Sequence, residues 1–481
     1  MTGRPSSAAK SVGTRLVGPA RAFLRFDITA EERPVMLTVA LATVLVPLNS
    51  TMIAVALPGI ARDLGASVSN TGWLVTGYLV AMASLQPLGG KLGDRFGRRR
   101  VILGGLAVFG VASLAAAGAP SLPFLLAFRL LQALSGAMVM PNCAALVRTT
   151  LPPDRRAQGI GLVGAAAGLA AALGPPLGGA LTDLIGWRAI FVVNAPVVGL
   201  AIFMGWRSVP RETGAPGVGR GFDVAGAVLL PVFLVSLAAL LVFGRDMSAG
   251  ALALWGAAIA ALGAVFLAWE FRSTDPVLQP RFFGRRAFAA SNVAVCLSNM
   301  AMYSLLLVVP VLLSRRGLTG LRTGLILTSL SAGMAVVTPI GGRLADRAGR
   351  SWPAVAGTVM LTCGAVWIAV EGPGVAAPAL IAGLALAGVG LGIANPGVGA
   401  SAVESVDRSQ AGSASGVFST SRYLGSIIGS AAMAGLLGTG DTDVAGIATL
   451  FVIIAVASAG ALVAAGALRS RAPDEADSSP E

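Results

Sequence analysis

Long apolar runs recur along the chain and limit its fold more than any other feature. Residues 35 to 468 divide into fourteen runs that are rich in apolar side chains. Each is about 20 residues long, the length at which a helix crosses the hydrocarbon core of a bilayer. The sequence therefore predicts an all-α polytopic membrane protein with fourteen transmembrane helices.

The charged residues support this interpretation and set the expected orientation. Hydrophobic residues make up 55% of the 481 residues, charged residues 12%, and the mean hydropathy is +0.80, which excludes an ordinary soluble domain. The net charge of +13 does not indicate nucleic-acid binding, because the basic residues lie in short segments between the apolar runs. If the N-terminus is cytoplasmic, 27 of the 35 Lys and Arg residues fall on the cytoplasmic side. Both termini are therefore expected in the cytoplasm.

Residue types needed for enzyme chemistry are scarce. The chain has no His, and its three Cys residues lie inside apolar runs without metal-binding spacing. It also lacks a Gly-x-Ser-x-Gly motif, a phosphate-binding glycine loop and a cofactor fingerprint. We expect no enzyme activity, no metal and no cofactor. Residues 1–34 are basic and lack a cleavable signal, so they predict a cytoplasmic tail, and 469–481 a second, disordered one.

Two internal repeats divide the chain into halves. PLGGKLGDRFGR at 87–98 returns as PIGGRLADRAGR at 339–350, and LGPPLGGA at 173–180 returns as LGSIIGSA at 424–431. Duplicated halves with a site between them are typical of alternating-access transporters. The expected domains are six-helix bundles at 35–208 and 287–468, with two inserted helices and their linkers at 209–286.

Several motifs resemble one transporter family. GKLGDRFGRRR (90–100) resembles the loop motif of the major facilitator superfamily. RLLQALSGA (129–137), LGPPLGG (173–179), LNSTMIAVALP (48–58) and WRAIFVVNAP (187–196) resemble signatures of its fourteen-helix drug:proton antiporter branch. The resemblance implies the major facilitator fold and export of a drug, antibiotic or hydrophobic metabolite driven by inward proton flow. Its expected partners are an amphipathic small molecule, protons and the bilayer, with the protein as a monomer.

The repeated loop motif predicts a cytoplasmic gate. Asp94 is expected in the turn before the third helix, where a carboxylate caps exposed backbone N–H groups. Arg95 and Arg98 beside it offer charge-assisted hydrogen bonds that would latch this side shut. The alternative is a basic loop that only sets topology. Asp346 and Arg347 occupy the equivalent turn of the second half, where fewer basic neighbours predict a weaker latch.

Glycine and proline are concentrated in the fifth predicted helix. Gly174, Gly178 and Gly179 are spaced so that another backbone can approach closely. Pro175 and Pro176 remove two helical donors and bend the helix. The resemblance implies an antiporter hinge here, and ordinary small-residue helix packing is the alternative.

Arg129 is the charged residue placed deepest in a predicted span. A guanidinium near the bilayer centre costs roughly 2.5–3.5 kcal/mol on insertion scales, so it should face the protein interior or a water-filled cavity. The resemblance implies that Arg129 and Gln132 handle protons or contact substrate, and a structural Arg bonded to carbonyls is the alternative. A set of polar residues is expected either to line the central cavity or to hydrogen-bond between helices. It comprises Asn49, Gln132, Asn142, Asn299, Tyr303 and Asn395.

The acids leave the coupling mechanism open. None of the 22 Asp and Glu residues lies in the middle third of a predicted span, although a proton antiporter ordinarily needs an embedded carboxylate. Asn49 stands where many members of the branch have Asp, and an amide cannot carry a proton. The remaining routes are an edge acid such as Asp183 or Glu371, the Asp94 region, or a water network around Arg129. The scarcity of buried negative charge favours neutral or anionic substrates.

Two other functions fit part of the sequence. A facilitator or importer would use the same fold with less need of the LGPPLGG motif. A non-transporting sensor or scaffold predicts an extended soluble domain, and the terminal segments of this sequence are short.

Overall fold

The computed structural model describes residues 29, 31–152, 155–210, 223–274, 276–318, 320–407, 410–437 and 444–468. Throughout these residues the regular structure is helical. Most of the predicted tail at 1–34, part of the linker after residue 210 and the whole tail at 469–481 lie outside the described residues.

Fourteen helices of fifteen residues or more are present in the described chain, and we number them α1 to α14. By length and composition, twelve of them are able to cross a membrane, α6 only together with the helical turn Ala189–Val192 before it, and α2 and α13 are less apolar than these twelve. The helices are α1 (Glu32–Asp63), α2 (Val68–Phe96), α3 (Arg98–Ala117), α4 (Leu122–Thr150), α5 (Arg156–Leu184), α6 (Asn194–Ser208), α7 (Val224–Phe243), α8 (Ala249–Arg272), α9 (Arg286–Arg315), α10 (Gly320–Ala348), α11 (Ser351–Glu371), α12 (Ala377–Glu404), α13 (Ala411–Leu436) and α14 (Val444–Gly466). A helical turn, Ala189–Val192, precedes α6, and 3-10 turns lie at Gly244–Asp246, Pro280–Gly284 and Gly372–Gly374.

Caps and glycine turns set the helix ends. The Ser67 hydroxyl accepts the Asn70 N–H at the start of α2, and Ser248 accepts the Ala251 N–H at the start of α8. Gly97, with φ of 91°, separates α2 from α3, and Gly349, with φ of 82°, separates α10 from α11. Because L side chains rarely adopt such φ angles, the repeated loop motif places glycine at both turns.

Following the sequence repeat, we call α1–α6 the first set of helices and α9–α14 the second set. Within the first, α1 packs on α5 and α6, and α4 packs on α2 and α3. Within the second, α12 packs on α10 and α11, while α9 packs on α13 and α14. The pairs α5–α10 and α2–α13 join the two sets, and α7 packs on α2, α13 and α8. The hairpin α7–α8, which we call the inserted hairpin after the sequence prediction, therefore packs on the α2–α13 pair through α7.

The two ends of the helical assembly can be told apart by their ion pairs. On the near face, where α1 begins, Glu32 accepts from Arg155 at 2.8 Å. On the far face, where α1 ends, Asp63 accepts from the Trp187 indole at 2.9 Å and from Arg188 at 2.6 Å.

Asp183 near the far-face end of α5 accepts from Leu321 at the start of α10, so α10 runs to the near face. There Ser351, at the start of α11, donates to the Leu468 carbonyl just after α14 at 2.8 Å, so α14 ends on the face on which α1 begins.

The lower hydropathy of α2 and α13 follows from their mutual contact. Thr76 on α2 hydrogen-bonds Ser430 on α13 at 2.9 Å, and the Gln86 amide donates to the Tyr423 hydroxyl at 3.0 Å. Side chains that pack against another polar helix need not be apolar, whereas lipid-facing ones must be. α8 is the opposite case, because exposed apolar residues such as Leu254 and Trp255 leave it suited to face lipid.

Candidate functional site

Arg129 on α4 lies fully buried inside the first set of helices. Its Nη1 donates to the side-chain oxygens of Asn49 on α1 and Gln132, and its Nε donates to the Leu74 carbonyl on α2 at 3.3 Å. The guanidinium carbon lies 4.2 Å from the centre of the Tyr78 ring, a cation–π distance. Three helices therefore hold one positive charge through neutral groups.

The network continues from Gln132 to α3 and α6. The Gln132 amide donates to the Ser113 hydroxyl at 2.6 Å, and Asn194 donates to the same oxygen at 3.4 Å. Ser113 in turn donates to the Phe109 carbonyl at 2.8 Å. A chain of buried polar groups thus crosses the first set from α1 to α6.

Several atoms in this network have no hydrogen-bond partner. They include Arg129 Nη2, the Asn49 amide nitrogen, the Tyr78 hydroxyl and the Asn194 side-chain oxygen. Among the described residues the buried acids are Asp223 and Glu270, and both belong to the inserted hairpin. The charge of Arg129 is therefore held by dipoles and a ring face, with donor capacity left over.

A small cavity lies on the other side of α1, between α1, α5, α9 and α10. Its volume is about 90 Å³, and its walls include Ser50, Thr51, Tyr303 and Ser331. Ser50 and Tyr303 approach each other at 3.4 Å between their oxygens. A liquid water occupies about 30 Å³ and drug-sized sites about 300–1,000 Å³, so this space must widen before it admits a drug-sized molecule.

The structure separates the six polar residues that were predicted together. Asn49 and Gln132 contact Arg129, whereas Tyr303 borders the cavity. Asn299, one turn before Tyr303, donates to the Val295 carbonyl of its own helix at 3.0 Å. Asn395 is half-buried on α12.

Asn142 hydrogen-bonds between helices, which was the alternative to lining the cavity. Its amide donates to the Gly89 carbonyl of α2 at 2.8 Å and to the Met138 carbonyl of α4 at 2.7 Å. Gly93 lies against the same amide, where a Cβ would collide with it. Asn142 therefore ties α2 to α4, and the cavity wall is built from other helices.

The prediction that Asp94 lies in the turn before the third helix was wrong. Asp94 lies in the last turn of α2, because the helix continues to Phe96 and the turn is made by Gly97. Its exposed carboxylate pairs with Arg98 at 3.2 Å, and Arg98 also donates to the Ala145 carbonyl of α4 at 3.3 Å. Arg95 is exposed, with its guanidinium 5.4 Å from the Phe96 ring centre.

The second copy of the motif forms an ion cluster with a partner outside the motif, and the expectation of a weaker latch there stays a prediction. Asp346 lies in the last turn of α10 and pairs with Arg350 at 2.5 Å. Arg350 also pairs with Glu404 at the end of α12 at 2.7 Å. The Glu404 and Asp346 carboxylates raise the pKa of Arg350, against the opposing effect of burial. Basic neighbours within the motif gave no sign of Glu404, which lies 54 residues further along. Arg347 is exposed at the end of α10.

The glycines of α5 face two different helices. A Cβ on Gly178 would lie 2.8 Å from the Met52 Cα of α1, and one on Gly174 would lie 3.2 Å from the Leu48 carbonyl oxygen. Gly179 faces α10, where a Cβ would lie 2.9 Å from the Leu321 Cα. The predicted close backbone approach is therefore present on both sides of α5.

The proline pair lies inside an uninterrupted α5. Pro175 and Pro176 face Gly324 of α10, whose Cβ would lie 2.9 Å from the Pro176 Cα. At the far end of the same contact, Asp183 accepts the Leu321 N–H at 2.8 Å. The α5–α10 contact is thus close from the middle of the helices to the far face. Glu371, the other predicted edge acid, is exposed at the end of α11.

Equivalent glycines in the two halves make equivalent contacts. A Cβ on Gly89 of α2 would lie 2.7 Å from the Met138 Cα of α4. A Cβ on Gly341 of α10 would lie 2.8 Å from the Ile393 Cα of α12. The sequence repeat therefore corresponds to a repeated helix contact.

Known proteins resemble this chain in sequence and in fold. An uncharacterized MFS-type transporter of Bacillus subtilis, YvkA, is 33% identical over 91% of this chain and 96% of its own length. The tetracenomycin C resistance and export protein of Streptomyces glaucescens is 34% identical over 69% of this chain and 62% of its own. The multidrug resistance protein Stp of Mycobacterium tuberculosis is 32% identical over 84% of this chain and 75% of its own.

A solved structure shares the fold at low identity. The bacterial homolog of the human lysosomal transporter Spinster, in an inward-facing and unoccupied conformation, matches with a TM-score of 0.66 and 16% identity. The match covers 92% of this chain and 98% of that one. The sequence model of the Major Facilitator Superfamily matches residues 39–430 and, separately, 291–481. The chain therefore belongs to the Major Facilitator Superfamily, a family of membrane transporters rather than enzymes.

Proposed function

We propose that this protein is a secondary active transporter that exports a drug, antibiotic or hydrophobic metabolite by alternating access in exchange for protons. In this proposal all fourteen helices cross the membrane, as six-helix bundles at 35–208 and 287–468 with an inserted pair at 209–286. Both termini are cytoplasmic, and the protein works as a monomer. The tetracenomycin C relative, whose name includes export, supports the direction of transport.

The single observation that carries the proposal is the cavity between the two sets of helices. Its walls come from α1 and α5 of the first set and α9 and α10 of the second. On the far face, the Asp183–Leu321 hydrogen bond and the Gly179 contact hold α5 against α10. With the far face closed, substrate would reach the cavity from the near face, which is the cytoplasmic side in this proposal.

The buried charge of Arg129 supports a preference for neutral or anionic amphiphiles. Among the described residues, the hydrogen-bond partners of Arg129 are amide and carbonyl oxygens, so no carboxylate neutralises its charge directly. Arg129 is hydrogen-bonded into the polar chain from Asn49 to Asn194. In this proposal these side chains rearrange together when the first set of helices moves. Gln132 and Asn49 would act by positioning Arg129, while Tyr303 would contact the substrate.

Transport in reconstituted vesicles tests the proposal. Purified protein is placed in proteoliposomes with an imposed pH gradient, and uptake is measured for anionic, neutral and quaternary ammonium amphiphiles. We expect gradient-dependent accumulation of anionic or neutral compounds, and its loss in Arg129→Met. Accumulation that is unchanged after the gradient is collapsed would rule out proton exchange. A strong preference for quaternary ammonium compounds that persists in Arg129→Met would overturn the substrate class.

A facilitator is the second candidate, and Asn49 favours it. The amide stands next to Arg129, and it cannot take up a proton. A facilitator would equilibrate its substrate across the vesicle membrane without accumulation and without moving protons. A pH-sensitive dye trapped in the same vesicles separates the two functions, because only the exchanger changes the internal pH when substrate is added.

A further inference from the structure

The inserted hairpin buries two acids next to each other on the near face. Asp223 caps the start of α7 and Glu270 lies in the last turn of α8, with 8% and 2% of their surfaces exposed. Asp223 Oδ2 and Glu270 Oε1 are both buried and have no hydrogen-bond partner. Both oxygens lie within 2.7 Å of the position that a Cβ on Gly226 would occupy. The two unpartnered oxygens therefore converge on one point.

The other oxygen of each acid is well bonded, but not equally. Asp223 Oδ1 accepts the Gly226 N–H at 2.8 Å and the Trp269 indole N–H at 2.7 Å. Burial opposes ionisation of Asp223, yet these bonds and one from Ser273 hold its pKa below the ordinary value. Glu270 Oε2 accepts the Leu278 N–H at 2.8 Å. Because more hydrogen bonds stabilise the charged form of Asp223, it is the acid of the pair that stays ionised.

One cation acts on both carboxyls. Lys91 of α2, in the GKLGDRFGRRR motif, interacts electrostatically with Asp223 and with Glu270. Arg281, on the 3-10 turn packed against α8, donates to the Phe271 carbonyl at 3.4 Å. The charged residue of α13, Arg422, lies over the Tyr423 ring. One ammonium is shared by two acids, so the pair carries excess negative charge unless it binds a proton.

We propose that Asp223 and Glu270 form a proton-binding site, in which Glu270 carries one proton on Oε1 and donates it to Oδ2 of ionised Asp223. A hydrogen bond between these atoms satisfies both unpartnered oxygens. Two carboxylates whose oxygens converge in a buried site repel each other, so the pair favours binding one proton between them. When that proton leaves, Glu270 becomes a second carboxylate beside Lys91.

The location gives this site a role in coupling, and that role depends on the proposed function. The Arg129 network contains no described acid, whereas this pair joins the inserted hairpin to the loop motif of α2 through Lys91. Release of the proton would strengthen the attraction between α8 and Lys91. The site therefore offers a proton-linked contact between the hairpin and the first set of helices.

Infrared difference spectroscopy of the purified full-length protein tests the site directly. Spectra are recorded as the pH is raised, and the band of the protonated carboxyl is followed. We expect a carboxyl band that disappears on titration in the wild type and is absent in Glu270→Gln. In Asp223→Asn, which keeps an oxygen for the Gly226 cap, the band should disappear at a lower pH because the neighbouring negative charge is gone. The matched control is Asp246→Asn, an exposed acid at the far end of the same hairpin, which should leave the band unchanged.

Trp269 provides a second readout in the same titration. Its indole donates to Asp223, so we expect its fluorescence to change with the carboxyl band and the change to vanish in Trp269→Phe. A band that survives in Glu270→Gln of normal helical content would overturn the proposal. So would a band whose titration is the same in Asp223→Asn as in the wild type. If the titration behaves as expected but vesicles show no proton exchange, the proton site stands and the exchange function fails.

Discussion

At the scale of single residues, the environment of Arg129 is the unusual feature. A fully buried guanidinium normally pairs with a carboxylate, and this one is held by Asn49, Gln132 and the Leu74 carbonyl. Nη2 of Arg129 and the Asn49 amide nitrogen are left without acceptors. Unpaired buried donors destabilise a fold by about 1–3 kcal/mol each. The molecule therefore keeps this cation at a cost in stability.

Asn49→Asp should raise the thermal stability of the protein at neutral pH. The new carboxylate replaces an unpartnered donor and supplies Arg129 with an opposite charge, worth about 1.5–3 kcal/mol for a hydrogen bond between charged groups before desolvation is subtracted. Unfolding of the purified protein in detergent measures the shift. Asn194→Asp is the control, because it adds a carboxylate at the other end of the polar chain, beside Ser113 and away from Arg129. A lower unfolding temperature in both variants would mean that Asn49 does not face Arg129 as described.

At the scale of helices, α5 is the element whose sequence and packing agree in most detail. Its glycines let the backbones of α1 and α10 approach from two sides, with Gly178 against Met52 and Gly179 against Leu321. These contacts leave no room for larger side chains, so α5 packs with its backbone directly against the backbones of α1 and α10. The position of α5 between the two sets of helices depends on this close fit.

Gly178→Ala should destabilise the protein, while Gly164→Ala in the same helix should not. A Cβ at Gly178 meets the Met52 backbone at 2.8 Å, and overpacking of this kind costs about 1–3 kcal/mol. A Cβ at Gly164 meets no heavy atom within 4 Å, and Ala favours the helix by up to about 1 kcal/mol. Unfolding temperatures of the two variants measure the contrast. Equal stability of the two would refute the close contact between α5 and α1.

Glu404→Gln should weaken the near-face cluster in a salt-dependent way. Arg350 bonds both Asp346 and Glu404, but the carboxylates are more than half exposed, so the expected loss of stability is at most about 1 kcal/mol. Unfolding temperatures at low and high salt should differ for the wild type more than for the variant. Glu371→Gln, an exposed acid on the far face, serves as the control. An identical salt response in the wild type and Glu404→Gln would exclude a stabilising cluster.

At the scale of the whole molecule, the contacts between the two sets of helices define one state. Hydrogen bonds join them between α5 and α10 at the far face (Asp183–Leu321), between α1 and α9 (Ser50–Tyr303) and between α2 and α13 (Thr76–Ser430). Alternating access requires that the far-face contact opens during transport. Locking the Asp183–Leu321 contact should therefore block the transport cycle and leave the polar network around Arg129 intact.

Crosslinking across the far face should abolish transport. Cys residues at positions 183 and 321, in a background without the three native Cys residues, would be joined by a short bifunctional thiol reagent. We expect loss of vesicle transport on crosslinking and recovery when a cleavable linker is cut. Cys residues at positions 63 and 188, which lie on the same face within one set, should crosslink without loss. Continued transport with the 183–321 linker intact would contradict the alternating-access proposal.

The sequence predicted several parts of the site because their cause is local. The close packing of Gly174 and Gly178 follows from their spacing. The prediction that Arg129 faces the protein interior follows from the free energy needed to place a charged side chain in the bilayer. Asp94 was predicted in the turn but lies in the last turn of α2, because the end of this helix is set by Gly97.

The sequence alone determined that this chain is a helical membrane protein with two repeated motifs, because apolar runs of bilayer length and repeated motifs are properties of the chain itself. Only the tertiary structure decided which side chains meet. In the structure Asn49 contacts Arg129, while its neighbour Ser50 borders the cavity. Asn142 lies in the α2–α4 contact. Glu404 pairs with Arg350, and Glu270 lies beside Asp223. These pairs lie on different helices, and the rotation of one helix against another is set by the packing of the whole assembly rather than by any segment of it.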